Sequence, residues 1–186
     1  MNLPSHWPED LKERLSHQRL LTMRDLPPVP PRHCKWCGTP IADGSRRSSW
    51  CSEACNNEFL IRWNGQTISR RVEKRDHCIC AKCGIDVSFV HAWKRKIQRT
   101  TGDIYGRWST ETVQAKQQWG PWHRHTGQLW EADHIVPVVE GGGCCGLDNY
   151  RTLCIRCHKE DTAELAARRA QRRREQSGQP VQAALL

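Results

Sequence analysis

The alternation of apolar and polar positions is clearest in the last third of the chain. LWEADHIVPV (129–138) and YRTL (150–153) carry the β-branched and aromatic residues typical of strands. A glycine-rich loop, EGGGCCGLDN (140–149), separates them. A helix is predicted to begin at Cys154 or Ile155 and to continue through a basic run. The pattern therefore predicts two strands followed by a long helix.

The first part of the chain has a weaker apolar pattern. Residues 1–32 are interpreted as a flexible N-terminal arm, with a short helix within 8–21 and the proline-rich linker LPPVPPR. EACNNEFLIRW (53–63) is predicted to form a helix capped by Ser52, and TISRRVEKRD (67–76) a second one. Residues 33–75 are accordingly assigned to a cysteine-rich module and its connecting helix.

The middle of the chain is harder to interpret. FVHAWKRKIQRT (89–100) and STETVQAKQQW (109–119) are each predicted to be helical, and about 86–128 is taken as an insertion. His123 and His125 are interpreted as loop residues or DNA contacts, and Trp108, Trp119 and Trp122 as rings that could stack on an unpaired base. The insertion lies within a predicted domain of residues 76–175, and residues 176–186 are expected to be a disordered tail.

Cysteine spacing adds a second source of structure. The chain has 11 cysteines in 186 residues, and eight of them fall in close pairs. Disulfides, redox motifs and iron–sulfur clusters are alternatives, but two pairs separated by tens of residues favour structural zinc. The sequence predicts two zinc sites, formed by Cys34, Cys37, Cys51 and Cys55, and by Cys80, Cys83, Cys154 and Cys157.

The three remaining cysteines leave one ambiguity. Cys78 is close enough in sequence to compete with Cys80 as a ligand, whereas Cys144 and Cys145 in the glycine-rich loop are interpreted as free thiols.

Composition and charge point to an anionic partner. The hydrophobic fraction is 37% and the mean hydropathy is −0.76, so a large apolar core is not expected. The formal net charge of +9 favours nucleic acid. No segment resembles a signal peptide or a membrane span, so an intracellular, cytoplasmic location is expected, or a nuclear one in a eukaryote. Five arginines of the last helix are predicted to contact DNA phosphates: Arg168, Arg169, Arg172, Arg173 and Arg174.

Four further residues suggest hydrolytic chemistry. Asp133 and His134 are adjacent near the start of the first strand, Asn149 ends the glycine-rich loop, and His158 follows Cys157. A phosphodiester hydrolase needs a base to activate water and a cation to stabilise the charge on the phosphate. An imidazole can accept a proton near neutral pH, and a carboxylate is a ligand that a hard divalent ion prefers.

These residues and their spacing resemble a known motif. WEADHIVPVVEGGGCCGLDNYRTLCIRCHKEDTAEL (130–165) is similar to the HNH nuclease motif of the His-Me finger (ββα-metal) superfamily. In particular it resembles the zinc-containing group with CxxC before the motif and LCxxCH within it. The similarity extends over about residues 33–168 and is weakest across 86–128.

The resemblance implies an α+β fold: a small zinc-stapled protein with a ββα-metal core and an N-terminal four-cysteine zinc module. It implies that His134 is the general base, that Asp133 and His158 bind one catalytic Mg²⁺ or Mn²⁺, and that Asn149 holds the His134 segment in place. The expected activity is DNA cleavage. The alternatives are a noncatalytic zinc-dependent nucleic-acid-binding module, and a nuclease component of a phage or defence assembly that is active only with protein partners.

Overall fold

The computed structural model describes residues 3–90, 92 and 128–177. The helices that lie wholly within these ranges are α1 (Glu9–Ser16), α2 (Glu53–Trp63), α3 (Gly65–Asp76) and α4 (Ile155–Gln176), and the strands are β1 (Trp130–His134) and β2 (Tyr150–Cys154). Short 3-10 turns cover Met23–Asp25, Val138–Glu140 and Leu147–Asn149. The predicted ββα order is confirmed by β1, β2 and α4. None of the described helices has the length and apolar character that crossing a membrane requires.

Several predictions concern residues outside the described ranges. These are most of the helix predicted at 89–100, the helix at 109–119, the three tryptophans and two histidines of the insertion, and residues 178–186 of the tail.

The chain forms two compact units, and each contains part of the β1–β2 hairpin. The first unit is Met1–Cys78 with Ala132–Thr152, and the second is Ile79–Glu131 with Leu153–Leu186. The first therefore holds α1, α2, α3 and the glycine-rich loop, whereas the second holds α4.

The helix α2 begins after its predicted cap, Ser52, whereas α3 begins at Gly65, two residues before the start predicted at 67. The Ser52 side chain accepts a hydrogen bond from the Cys55 backbone N–H at 3.2 Å. The Asn64 side chain accepts one from the Gln66 N–H at 2.8 Å. Each bond satisfies a backbone donor that has no partner within the helix, so the caps fix both starting points.

Part of the N-terminal segment is packed against the rest of the first unit. The expectation of a flexible arm over residues 1–32 is therefore wrong for this part. Trp7, Leu15 and Leu21 are at most 2% exposed and belong to the core cluster that contains Trp36 and Phe59. The Trp7 indole N–H donates to the Trp36 carbonyl at 3.1 Å, and the two rings meet edge to face. The few apolar residues of this polar segment are therefore the ones that pack.

The first strand is shorter than predicted. It ends at His134, and the chain turns away through residues that the sequence assigned to a strand continuing to Val138. The change of direction has a local cause, because the Asn149 side chain takes up both backbone hydrogen-bonding groups of Val136. The backbone beyond His134 is thus bonded to the glycine-rich loop, and the Ile135 N–H donates to the Asn149 carbonyl.

The C-terminal end of α3 holds the second strand. The Asp76 carboxylate accepts bonds from the N–H and the hydroxyl of Thr152, both at 3.0 Å, and Thr152 is fully buried. The Arg75 guanidinium pairs with Asp76 and donates to the carbonyls of Leu147 and Tyr150, each at 2.6 Å. The bond from Arg75, with smaller help from Thr152, keeps the pKa of Asp76 below its usual value. This ion pair therefore joins α3 to β2 within the first unit.

We predict that Asp76→Ala lowers the free energy of unfolding by about 2 kcal/mol, because it leaves two buried donors of Thr152 without their acceptor. Asp43→Ala, at an exposed position in the same unit, is the matched control and should change stability by less than about 0.5 kcal/mol. Urea denaturation of both variants measures the difference. Equal stabilities would show that the α3 contact is not needed to hold β2.

Candidate functional site

Two groups of four cysteines are assembled, each within one unit. In both groups the four sulfur atoms lie within 4.8 Å of one another: Cys34, Cys37, Cys51 and Cys55 in the first, and Cys80, Cys83, Cys154 and Cys157 in the second. The Cys37–Cys51, Cys51–Cys55 and Cys83–Cys154 sulfur pairs are 3.4, 3.6 and 3.8 Å apart. Four bonds of about 2.3 Å in a tetrahedron would separate the sulfurs by about 3.8 Å, so the spacing fits zinc. A disulfide would need about 2.05 Å.

The thiols of the second group differ in how readily they lose a proton. Burial alone would raise the pKa of Cys80, but backbone N–H donors, that of Cys154 among them, lower it to about 7. Burial, and the charge of Cys80, raise the pKa of Cys154 to about 11. Four thiolates cannot coexist at this separation without a positive charge between them. Both groups could therefore bind zinc.

The competition between Cys78 and Cys80 is resolved by the geometry. Cys80 joins the second group, whereas Cys78 belongs to the first unit and its sulfur lies 3.8 Å from a Glu73 carboxylate oxygen. Cys78 follows the left-handed residue His77 and is itself left-handed. The chain therefore turns sharply between the end of α3 and the first cysteine of the second group.

The His134 side chain lies at the last position of β1. Its ring centroid is 4.4 Å from that of Tyr150, and its Nε2 atom is buried with no hydrogen-bond partner among the described residues. Burial lowers the pKa of His134, an effect that the charge of Asp133 opposes and that of Arg19 reinforces. The imidazole is consequently neutral at neutral pH and has a nitrogen available to accept a proton.

The Asp133 side chain pairs across the hairpin. One of its carboxylate oxygens accepts a hydrogen bond from the Arg151 guanidinium at 3.2 Å. Both side chains are partly buried, with 21% and 29% exposed. The ion pair fixes the carboxylate next to His134. The pair also provides a cation, Arg151, that sequence reasoning missed. In an antiparallel hairpin with His134 opposite Tyr150, Arg151 lies opposite Asp133, and this register was the signal that could have found it.

Asn149 closes the glycine-rich loop. Its Oδ1 atom accepts from the Val136 N–H at 2.8 Å, and its Nδ2 atom donates to the carbonyls of Val136 and Gly142 at 3.1 and 3.0 Å. A Cβ atom at Gly142 would overlap the Val136 carbonyl oxygen and lie 2.8 Å from the Asn149 Nδ2 atom. The loop can therefore approach Val136 this closely only because position 142 is glycine.

The remaining predicted residues lie on α4, in the second unit. His158 is in the first turn of the helix, where its carbonyl accepts a bond from the Thr162 hydroxyl at 2.8 Å. Lys82, between two cysteines of the second group, pairs with Asp161 at 2.6 Å. The five arginines predicted to contact DNA are all exposed on the same helix: Arg168, Arg169, Arg172, Arg173 and Arg174.

The sequence is similar to a known family and to known proteins. The family model for HNH endonuclease matches residues 121–164. The DNA annealing helicase and endonuclease ZRANB3 of Mus musculus is 37% identical over 131 residues, which make up 68% of this chain and 12% of the mouse protein. The Homo sapiens ZRANB3 is 35% identical over 153 residues, or 76% of this chain and 14% of the human protein. The chain thus spans only a small part of the length of these relatives.

A solved structure gives a further comparison. The crystal structure of the human ZRANB3 HNH domain is 33% identical and covers 60% of this chain and 97% of that domain, with a TM-score of 0.41. The family match includes Asp133, His134, Asn149 and His158. The chain therefore carries an HNH endonuclease domain, similar in sequence to the HNH domain of ZRANB3.

Proposed function

We propose that this chain is a metal-dependent HNH endonuclease that hydrolyses DNA phosphodiester bonds. The observation that carries the proposal is the environment of His134. A neutral imidazole with an unsatisfied, buried Nε2 atom stands at the end of β1, beside a segment that Asn149 holds rigidly. A buried ring nitrogen without a protein partner is typical of a group that bonds to water or substrate, which supports a catalytic role for His134.

His134 acts as the general base. It takes a proton from a water molecule, and the oxygen of that water attacks phosphorus. The bond between phosphorus and the 3′ oxygen breaks, and that oxygen takes a proton from solvent, which leaves a 3′-hydroxyl and a 5′-phosphate, as the HNH resemblance implies. Asn149 is a positioning residue, because its hydrogen bonds to Val136 fix the backbone two residues beyond His134.

Asp133 and His158 would hold one Mg²⁺ or Mn²⁺ ion. A carboxylate oxygen and an imidazole nitrogen are suitable donors for such an ion. When bound, the ion would neutralise charge on the phosphate and on the leaving oxygen. Arg151 balances the charge of Asp133 and restricts its rotation, so the carboxylate is already oriented before an ion arrives.

The two cysteine groups would hold structural zinc. The first lies in the N-terminal module beside α2, and the second joins the turn at Cys80–Cys83 to the start of α4. Because the hydrophobic fraction is low, zinc binding would supply folding free energy that a small core cannot.

DNA would be held mainly through its phosphates. The exposed arginines near the end of α4 give affinity without sequence information. Of these five, Arg169, Arg173 and Arg174 form no ion pair among the described residues, so their charges are available to phosphates.

We predict that His134→Ala lowers the rate of plasmid cleavage in Mg²⁺ or Mn²⁺ by about 10²-fold or more, because general-base catalysis contributes that much. His17→Ala, at an exposed histidine of the same unit, is the matched control and should cleave at the parent rate. Both variants should bind DNA as the parent does.

Other outcomes would identify the alternatives. If parent and His134→Ala are equally inert but bind DNA, the protein is a noncatalytic binding module. If cleavage appears only after a protein partner is added, the chain is a component of a nuclease assembly.

We predict that the parent contains two equivalents of zinc and that Cys154→Ser contains one and loses much of its helical content, because Cys154 joins the second cysteine group to α4. Cys78→Ser is the matched control, since Cys78 precedes that group by two residues but lies outside it. Atomic emission spectroscopy gives the zinc content and circular dichroism the helix. Two equivalents in Cys154→Ser would contradict the ligand set.

A further inference from the structure

A shallow pocket of about 340 Å³ lies on the N-terminal cysteine module. Cationic, polar and aromatic side chains line it, and no acidic side chain does: the lining residues are Arg46, Arg47, Ser48, Ser49, Trp50 and Asn56. Guanidinium, hydroxyl and amide groups are the side-chain donors that proteins use to bind phosphate oxygens. The lining therefore suits an anion that carries an aromatic ring.

The first cysteine group positions both sides of this pocket. Trp50 directly precedes Cys51, and Asn56 directly follows Cys55. The loop is also tied down by the backbone, because the Lys35 N–H donates to the Ser49 carbonyl at 2.9 Å. The residues of the pocket are consequently positioned by the first cysteine group.

The positive charge of the pocket has no acidic partner among the described residues. Arg46 and Arg47 are exposed, and within the described ranges neither guanidinium forms an ion pair. Two other arginines of the first unit behave differently, since Arg62 pairs with Glu58 and Arg151 with Asp133. The two pocket arginines thus retain their full capacity to bind an anion.

The aromatic wall is held rigidly. The Trp50 ring stacks on Phe59 with 4.8 Å between centroids, and Phe59 stacks on Trp63 at 5.7 Å. Phe59 is only 4% exposed, so the stack is anchored in the core. A ring fixed in this way loses little entropy when a nucleobase packs against it.

We infer that this pocket binds one unpaired nucleotide of a DNA strand, with Arg46 and Arg47 on its phosphates and Trp50 against its base. The choice of DNA rests on the proposed nuclease function. The pocket volume lies near the lower end of small-ligand sites, which begin at about 300 Å³, and suits a single nucleotide. The pocket belongs to the same compact unit as His134 and Asn149, so it adds a DNA contact to the unit that carries the proposed base.

The test uses the full chain with His134→Ala, which keeps the DNA intact. Binding of a labelled 12-nucleotide single strand is followed by fluorescence anisotropy across a range of NaCl concentrations without added Mg²⁺. Arg46→Gln with Arg47→Gln should lower the slope of log affinity against log salt by about 1.4, since each phosphate contact on a single strand contributes about 0.7. Affinity at low salt should fall about tenfold or more.

The matched control removes two charges elsewhere on the same unit. Arg24→Gln with Lys74→Gln changes exposed residues outside the pocket and should leave the slope unchanged. Ser48→Glu places a negative charge in the pocket and should weaken binding at least as much as the double arginine variant. Zinc content must stay at the parent level in every variant, which shows that the module is folded.

Two results would overturn the inference. One is an equal change of slope in both double variants, which would mean that only overall charge matters. The other is parental binding by Ser48→Glu. Neither depends on cleavage, so a parent protein that binds DNA but cannot cut it would contradict the proposed nuclease function and leave the pocket intact.

Discussion

The hydrogen bonds of Asn149 are the constraint on which the geometry of the candidate site depends. Successive side chains of a regular strand point to opposite faces, so adjacent residues such as Asp133 and His134 would not serve one centre if the strand ran on undisturbed. Asn149 binds both backbone groups of Val136, and β1 ends at His134. The acid and the histidine therefore stand at the end of a strand, where the backbone direction changes. Gly142 permits the close approach that this requires.

Hydrogen bonds from charged side chains and from the backbone hold the glycine-rich loop and β2 in place, in a protein whose apolar core is small. In the first unit, Arg75 and Asp76 hold the backbone of β2, and the carbonyls of Ser16 and Gln18 accept bonds from Gly143 and Cys144. The buried Arg62 donates to the Cys144 carbonyl and lies over the Trp36 ring. Hydrogen bonds from charged groups are stronger than neutral ones, and here they replace apolar contacts as the means of fixing a loop.

Much of this could be predicted from sequence because the signals are local. The cap at Ser52, the ββα order and the two cysteine groups depend on spacing along the chain, which one sequence displays directly. The Asp133–Arg151 pair could not be predicted with the same ease, since it depends on the register of the hairpin. The burial of Trp7 and Leu15 was missed because isolated apolar residues in a polar segment carry no periodic signal.

The central claim is that Asn149 organises the proposed catalytic segment without contributing to DNA affinity. The most direct test measures DNA affinity and the single-turnover cleavage rate for Asn149→Asp, which keeps the shape but replaces the Nδ2 donor with a negative oxygen facing two carbonyls. Asn64→Asp is the control, because aspartate caps a helix as well as asparagine. We expect the single-turnover cleavage rate of Asn149→Asp to be at least about tenfold lower than that of the parent, with unchanged DNA affinity. This is the result for an interaction that matters only in the transition state. A parental rate in Asn149→Asp would contradict the claim.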